Sequence, residues 1–240
     1  MRRRFFVENF EAERAVLRGE AAEHLGRVLR AEPGQFYELS DGDKVWLARV
    51  EHAGRSGRAG AEIEFALVEP VAGEELKSKI RLLLSIVKFD RFEWCLEKAT
   101  ELGVAEIVPI AAGRSEKALV QAAAKRAERW RKILFESAQQ ARCLRPPNLA
   151  ALVKPEAAFQ ACGDAMKILL SERREARPIR EVVGKREPAD VVMAIGPEGG
   201  WADSEFAAAA QWDFREVSLG QQILRTETAV IAALAILRFG

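Results

Sequence analysis

DVVMAIGPEGGWADSEFAAAA, residues 190–210, is the stretch on which the fold turns. Asp190 to Ile195 is an apolar run of strand length, the kind that is buried on both faces inside a parallel sheet. It stops at Gly196-Pro197-Glu198-Gly199-Gly200, where three glycines in five residues let a backbone approach a ligand closely. A helix is predicted after Asp203, which is placed to cap it, with Trp201 packing ahead of the cap. Strand, glycine loop and helix form the repeating unit of an open α/β sheet, and such sheets collect ligands at the carboxyl ends of their strands. The loop is neither G-x-G-x-x-G nor a P-loop, since no Gly-Lys-Ser/Thr follows it. By itself it reads equally well as a tight turn.

The same alternation extends on both sides. Downstream, Phe214 to Leu219 is a strand, and Thr226 is placed to cap a helix rich in Ala, Ile and Leu. Between them lies Leu219-Gly220-Gln221-Gln222-Ile223-Leu224-Arg225, a second strand-to-helix connection. Its end is a helix start, where the positive dipole end favours an anion or a polar ligand edge. Upstream, Arg81–Val87, Glu106–Ile110 and Met166–Leu170 are strands. Helices are predicted over Arg91–Leu102, ended by Gly103, and over Val120–Arg142, ended before Pro146-Pro147. Alternating strands and helices imply a parallel sheet covered on both faces.

The first 72 residues read differently. Arg3–Val7, Gln35–Leu39, Lys44–Val50 and Ala61–Val68 are short strands, and Ser40-Asp41-Gly42-Asp43 marks a hairpin. One helix, Glu20–Arg30, carries Leu25, Val28 and Leu29 as its apolar stripe, and Pro33-Gly34 stops it. His52–Gly60 reads as a turn, and Pro70–Ser78 as a linker. The expected organisation is therefore a small β-barrel-like module over 1–72 and an α/β domain over 73–240.

Composition narrows the class. About half the residues are hydrophobic and 30% are charged, as in a globular domain, and no apolar run is long enough for a bilayer. The N-terminal apolar run ends at Glu8, too short for a secretory signal. Cys95, Cys143 and Cys162 are odd in number and lack Cys-x-x-Cys spacing, so neither disulfides nor a metal site is expected, and a cytoplasmic location fits. The net charge is only +1, but Ala112–Arg145 holds nine basic residues against three acids. That stretch is either a solvated helix face or a phosphate-contacting surface. Trp94, Trp130, Trp201 and Trp212 are candidates for base stacking, although aromatics in such apolar company more often belong to a core.

The glycine loop and the Leu-Gly-x-x-Ile-Leu-Arg-x-Glu-Thr-Ala segment, in that order and about twenty residues apart, resemble the RsmE family of 16S ribosomal RNA uridine-N3 methyltransferases, in the SPOUT superfamily. Lys88–Val104, with Glu93, Lys98, Glu101 and Gly103, resembles the family's Lys-Ala-x-Glu-Leu-Gly-Val helix, and Glu23–Arg30 its His-x-x-x-Val-Leu-Arg segment. The resemblance implies a PUA-like RNA-binding barrel, then a SPOUT domain with a deep trefoil knot at its C-terminal end. It implies S-adenosylmethionine as methyl donor and pairing of two copies through the knot. Carried over residue by residue, the donor wall comprises Leu170 and Ser171; Gly196, Pro197, Glu198, Gly199 and Gly200; and Leu219, Gly220, Ile223, Leu224 and Arg225. Gln221-Gln222 stands where the family commonly has Pro-Arg, and Gln139–Arg142 where it has Glu-Gln-Ser-Gly-Arg.

The chemistry implied sets the remaining expectations. The N3 of uridine carries a proton and is a poor nucleophile until that proton leaves, so a base or a cation is required. Arg225 is the candidate cation and Glu227 the candidate base, although capping the helix or holding Arg225 is the plainer role for Glu227. Arg2, Arg3, Arg4, His24, Arg27 and Arg30 in the barrel, with Arg114 and Arg142 beyond it, are the candidate contacts to 16S rRNA of the small ribosomal subunit. Two other readings stay open: a related knotted methyltransferase with another RNA target, and a non-catalytic ribosome-assembly factor.

Overall fold

The computed structural model describes residues 3–55, 61–72, 78–184 and 190–240. Two compact units emerge, Met1–Glu75 with Ala138–Pro146, and Leu76–Ser137 with Pro147–Gly240. Most of the linker expected at Pro70–Ser78 and the site candidate Arg2 lie outside the described residues.

The first unit is a curled five-stranded sheet. Its strands are β1 (Arg4–Phe6), β2 (Arg14–Arg18), β3 (Phe36–Ser40), β4 (Val45–Arg55) and β5 (Ala61–Val71), in the order β1-β3-β4-β5-β2. Only β1 and β3 run parallel. Alternation along the strands sends Phe5, Leu39, Val50, Ile63 and Phe65 into one core and side chains of opposite parity to the other face, where Arg4, Glu38 and Ser40 are also buried. The turn expected from His52 is instead strand as far as Arg55. His52, Ala53, Gly54 and Arg55 pair with Glu64, Ile63, Glu62 and Ala61, and ladder hydrogen bonding overrides the glycine signal. Strand β2 gave no sequence signal because only Ala15-Val16-Leu17 separate its arginines, yet Ala15 and Leu17 are buried.

The helix expected at Glu20–Arg30 is a short α1 (Gly19–Glu23) running into a π-helical turn, His24–Val28. The wider turn rotates the following residues off the stripe. Leu25 is therefore fully buried, while Val28 is 61% exposed.

The second unit is an all-parallel sheet of seven strands. They are β6 (Lys79–Ser85), β7 (Glu106–Ile110), β8 (Asn148–Leu149), β9 (Met166–Leu170), β10 (Arg177–Pro178), β11 (Asp190–Ile195) and β12 (Arg215–Ser218). The order is β10-β12-β9-β11-β6-β7-β8, so β12 enters a slot between two strands that precede it in the chain. The helices are α2 (Phe89–Glu101), α3 (Lys117–Ala123), α4 (Ala127–Gln140), α5 (Pro155–Gln160), α6 (Ile179–Val183), α7 (Asp203–Gln211) and α8 (Thr226–Phe239). None among the described residues is long and apolar enough to cross a membrane.

Each central strand feeds both faces. Ile80, Leu82 and Leu84 of β6, and Val191, Met193 and Ile195 of β11, pack in one core with Phe92, Leu96, Trp130, Val230 and Leu234 from helices α2, α4 and α8. Leu83, Val192 and Ala194 face the other way, against Phe159, Trp201 and Phe214. This is why those strands read as unbroken apolar runs.

Three helix expectations are corrected. The single helix expected over Val120–Arg142 is α3 and α4 joined by a 3₁₀ turn at Ala124–Arg126. Asp203 is the first residue of α7 and not its cap; Ala202 holds the N-cap, and its N–H donates to Glu205 Oε2 at 2.7 Å. Thr226 likewise is the first residue of α8, with Arg225 at the N-cap in extended backbone.

Candidate functional site

In a parallel sheet every strand delivers its carboxyl end to the same edge. Because β9 lies between β11 and β12, the connections after these three strands become neighbours, and a cleft of about 560 Å³ opens among them. From β9 come Leu170 and Ser171. From β11 come Gly196, Pro197, Glu198, Gly199 and Gly200, and from β12 Leu219, Gly220, Ile223, Leu224 and Arg225. All twelve residues expected on the donor wall thus line one cavity.

The glycine loop is held by its neighbours from several directions. Gly200 sits at φ +68°, and its N–H donates to Pro197 O at 2.8 Å, closing a tight turn. A Cβ on Gly196 would stand 3.1 Å from Trp201 Nε1, and one on Gly199 would stand 3.2 Å from Arg114 Cβ. The loop therefore has no room for side chains on that side. Trp201, 2% exposed, donates from Nε1 to Leu170 O at 3.1 Å and packs edge-on against Phe159. Arg114 donates to Gly199 O at 2.9 Å. Glu205, 3% exposed, accepts from the N–H groups of Ala202 and Gly113. The hydrogen bonds of Trp201 and Glu205 satisfy polar groups that burial would otherwise leave costly.

The opposite wall is the start of α8. Arg225, Thr226 and Ala229 line the cleft, so the positive end of the helix dipole faces it. Arg225 is exposed at the N-cap. Glu227 is not on the wall: a helix turns about 100° per residue, and Thr226 and Ala229 take the cleft side. The Glu227 carboxylate instead lies 3.9 Å from Arg91 Nε, and its buried Oε2 has no hydrogen-bond partner among the described residues. Glu198 also turns to Arg91, accepting from its Nη1 at 2.9 Å.

Of the other lining residues, Arg173 and Phe206 gave no sequence signal. Ser171 Oγ donates to Glu216 at 2.5 Å and accepts from Arg173 N–H at 3.0 Å. Arg173 pairs with Asp203 at 2.6 Å and lies 3.6 Å over the Phe206 ring, so Arg173, Asp203 and Phe206 form one rim of the cleft. Gln221 and Gln222 are exposed on the other. No nucleophilic thiol serves the site. Cys95 is fully buried, and its thiol is pushed up to about 12 by burial, with the charges of Glu227 and Glu198 adding to it.

The candidate RNA contacts scatter. In the first unit Arg3 lies beside His24, Nη1 to Nε2 at 3.5 Å, and Arg27 and Arg30 are exposed on the same turn and just after it. Arg4 is a correction. The pleat sends it to the face of the sheet opposite Phe5, yet it is 6% exposed, because Nε and Nη2 donate to Glu38 and Nη1 donates to Arg142 O. Arg142 is half-spent as well, with Nη1 3.6 Å from Glu38 Oε1. Arg114 lines the cleft, where it donates to Gly199 O. Of the other basic residues over 112–145, Arg129 donates to both oxygens of Glu93 and Arg126 lies 4.8 Å over Phe89, while Lys125 and Arg131 are exposed. Of the tryptophans considered for stacking, Trp130 and Trp201 are buried in cores, Trp212 is half-buried and Trp94 is 40% exposed.

Comparison with known proteins follows the same division. The profile of the RNA methyltransferase domain family matches residues 74–238, and that of the RNA methyltransferase PUA domain matches 17–57. A Synechocystis protein named ribosomal RNA small subunit methyltransferase E is 34% identical over 217 residues, covering 88% of this chain and 68% of that protein. A crystal structure of a ribosomal RNA small subunit methyltransferase E from Neisseria gonorrhoeae, bound to S-adenosylmethionine, superposes with a TM-score of 0.84 at 28% identity over 98% of this chain and 96% of that one. A Legionella pneumophila protein in complex with the cofactor S-adenosylmethionine superposes with a TM-score of 0.84 at 30% identity, over 99% and 97%.

Proposed function

The chain belongs to the RNA methyltransferase family, and we propose that it transfers a methyl group from S-adenosylmethionine to N3 of a uridine in 16S ribosomal RNA. It is an S-adenosylmethionine-dependent ribosomal RNA methyltransferase with an N-terminal PUA domain. The observation that carries the finer reading is the single cleft shared by the glycine loop and the Leu219–Arg225 connection.

The cleft suits this donor. Its volume of about 560 Å³ lies in the range of small-molecule sites. Gly196 and Gly199 let the loop backbone lie close against Trp201 and Arg114. Leu170, Leu219, Ile223 and Leu224 offer apolar contact, and the polar rim offers carboxylates and guanidinium groups. S-adenosylmethionine supplies an electrophilic methyl on a sulfonium, already activated, so the residues around it mainly orient.

The acceptor needs more from the chain. We assign Arg225 to the uracil: a fixed cation beside the ring lowers the cost of charge on it as the N3 proton leaves. Glu227 faces Arg91 instead of the cleft, so no role as proton acceptor is assigned to it, and the proton passes to solvent.

Residues 1–72 are proposed as the RNA-reading module, through Arg3, His24, Arg27 and Arg30, and 73–240 as the methyl-transfer domain. In it the last strand and helix close a trefoil knot through which two copies pair. The substrate is the small ribosomal subunit, met in the cytoplasm.

The test is direct. Under-methylated small subunits incubated with protein and S-adenosylmethionine should gain one N3-methyluridine in 16S rRNA, located by mass mapping. No gain, with the donor bound in calorimetry, favours a different RNA target. RNA affinity should fall at least tenfold when salt rises from 50 to 200 mM, roughly the loss for a few neutralised phosphates, and a flat profile removes the basic contacts. Sedimentation should give twice the mass of one chain; a monomer would remove the pairing.

A further inference from the structure

Arg91 occupies the first turn of α2, outside the cleft, and reaches both of its walls. Its Nη1 donates to Glu198 Oε1 at 2.9 Å, and its Nε lies 3.9 Å from Glu227 Oε1. Glu198 is the middle residue of the glycine loop. Glu227 follows Thr226 at the start of α8, two residues after Arg225. One guanidinium therefore bridges two carboxylates, each anchored in a different ligand connection.

The surroundings make this bridge consequential. The Arg91 side chain is 28% exposed and that of Glu227 only 16%, so water screens the pair incompletely. Glu227 Oε2 is buried with no hydrogen-bond partner among the described residues. Beneath them, Cys95 is fully buried and offers no charge to offset theirs. Without Arg91, the part-exposed Glu198 (41%) and the more buried Glu227 would lose the cation between them and repel, and the segments that carry them would move apart.

We infer that Arg91 is a positioning residue for the methyl donor: it sets the spacing between the glycine loop and the N-terminus of α8, and so the width of the cleft. This rests on the donor-cleft reading above, and the experiment separates the two. Calorimetry of the unaltered protein with S-adenosylmethionine comes first. Arg91→Ala should then weaken donor binding by about fivefold, the upper end for a part-exposed ion pair. In steady state its KM for the donor should rise by the same factor with kcat nearly held. Arg91→Lys, which keeps one charge but not the fork, should recover part of the loss.

The decisive variant is Arg91→Ala combined with Glu227→Gln, whose carboxylate lies off the cleft wall. If the loss comes from carboxylate repulsion, removing one carboxylate restores affinity toward that of the unaltered protein, whereas lost packing would make the two changes add. Unchanged donor affinity in Arg91→Ala, or a double variant weaker than Arg91→Ala, overturns the inference and leaves the cleft reading standing. An unaltered protein that does not bind S-adenosylmethionine overturns the cleft reading, and the inference with it.

Discussion

Arg225→Ala should slow methyl transfer by about a hundredfold or more while leaving donor affinity within about twofold, as expected when a preorganised group that stabilises developing charge is removed. The guanidinium sits at the N-cap of α8, exposed on the cleft wall, with its backbone already extended and no side-chain cap bond to give up. Its backbone is thus fixed by the helix start, and its charge adds to the positive dipole end beneath it. Both act on an anion and neither is needed to hold a sulfonium. Single-turnover rates compared with donor calorimetry check the split. Equal losses in both would make Arg225 a donor contact, and unchanged turnover would take it out of the reaction. Arg225→Lys keeps the charge without the planar fork and should recover only part of the rate.

Trp201→Ala should destabilise the second unit by about 3–5 kcal/mol, in line with large-to-small changes at buried aromatics. Three things are lost together. The ring leaves a hole beside Phe159, Leu170 O loses its hydrogen-bond donor, and Gly196 loses the surface on which it rests. Trp201→Phe keeps most of the volume and loses only the N–H, so its cost should be about 1–3 kcal/mol for the stranded carbonyl. Chemical denaturation measures both. Because Leu170 and Gly196 line the cleft, both variants should also bind donor more weakly than the unaltered protein. A Trp201→Ala protein as stable as its parent would mean that the glycine loop does not depend on this indole.

The sequence read well where burial is two-sided. Arg81–Val87, Glu106–Ile110, Met166–Leu170 and Asp190–Ile195 were visible as strands because they are mostly apolar, with only Ser85 and Lys167 as internal polar residues, and the structure buries them on both faces. The two-residue strands β8 and β10 exist only through their neighbours, and no periodicity fits in two positions. The cleft was legible for the same reason as the strands: residues next to the carboxyl end of a buried strand have few other places to go. Side-chain direction was not. Three consecutive arginines read as one basic cluster, yet Glu38 and the Arg142 backbone bury Arg4 while Arg3 stays exposed. Glu227 sits within the motif, but helical rotation hands it to Arg91, a residue more than a hundred positions away that no local pattern marks. The rim of Arg173, Asp203 and Phe206 is likewise a product of tertiary proximity.

The order of the parallel sheet has a consequence for how this catalyst comes into being. Strand β12 occupies a gap between β9 and β10, both of which leave the ribosome earlier. A nascent chain stopped before residue 219 can own a finished glycine loop and still hold nothing, since the facing wall, Leu219 to Ala229, has not been made. Competence thus arrives in one late step, when the segment that follows the final strand closes over the cleft, and partly synthesised copies stay chemically silent.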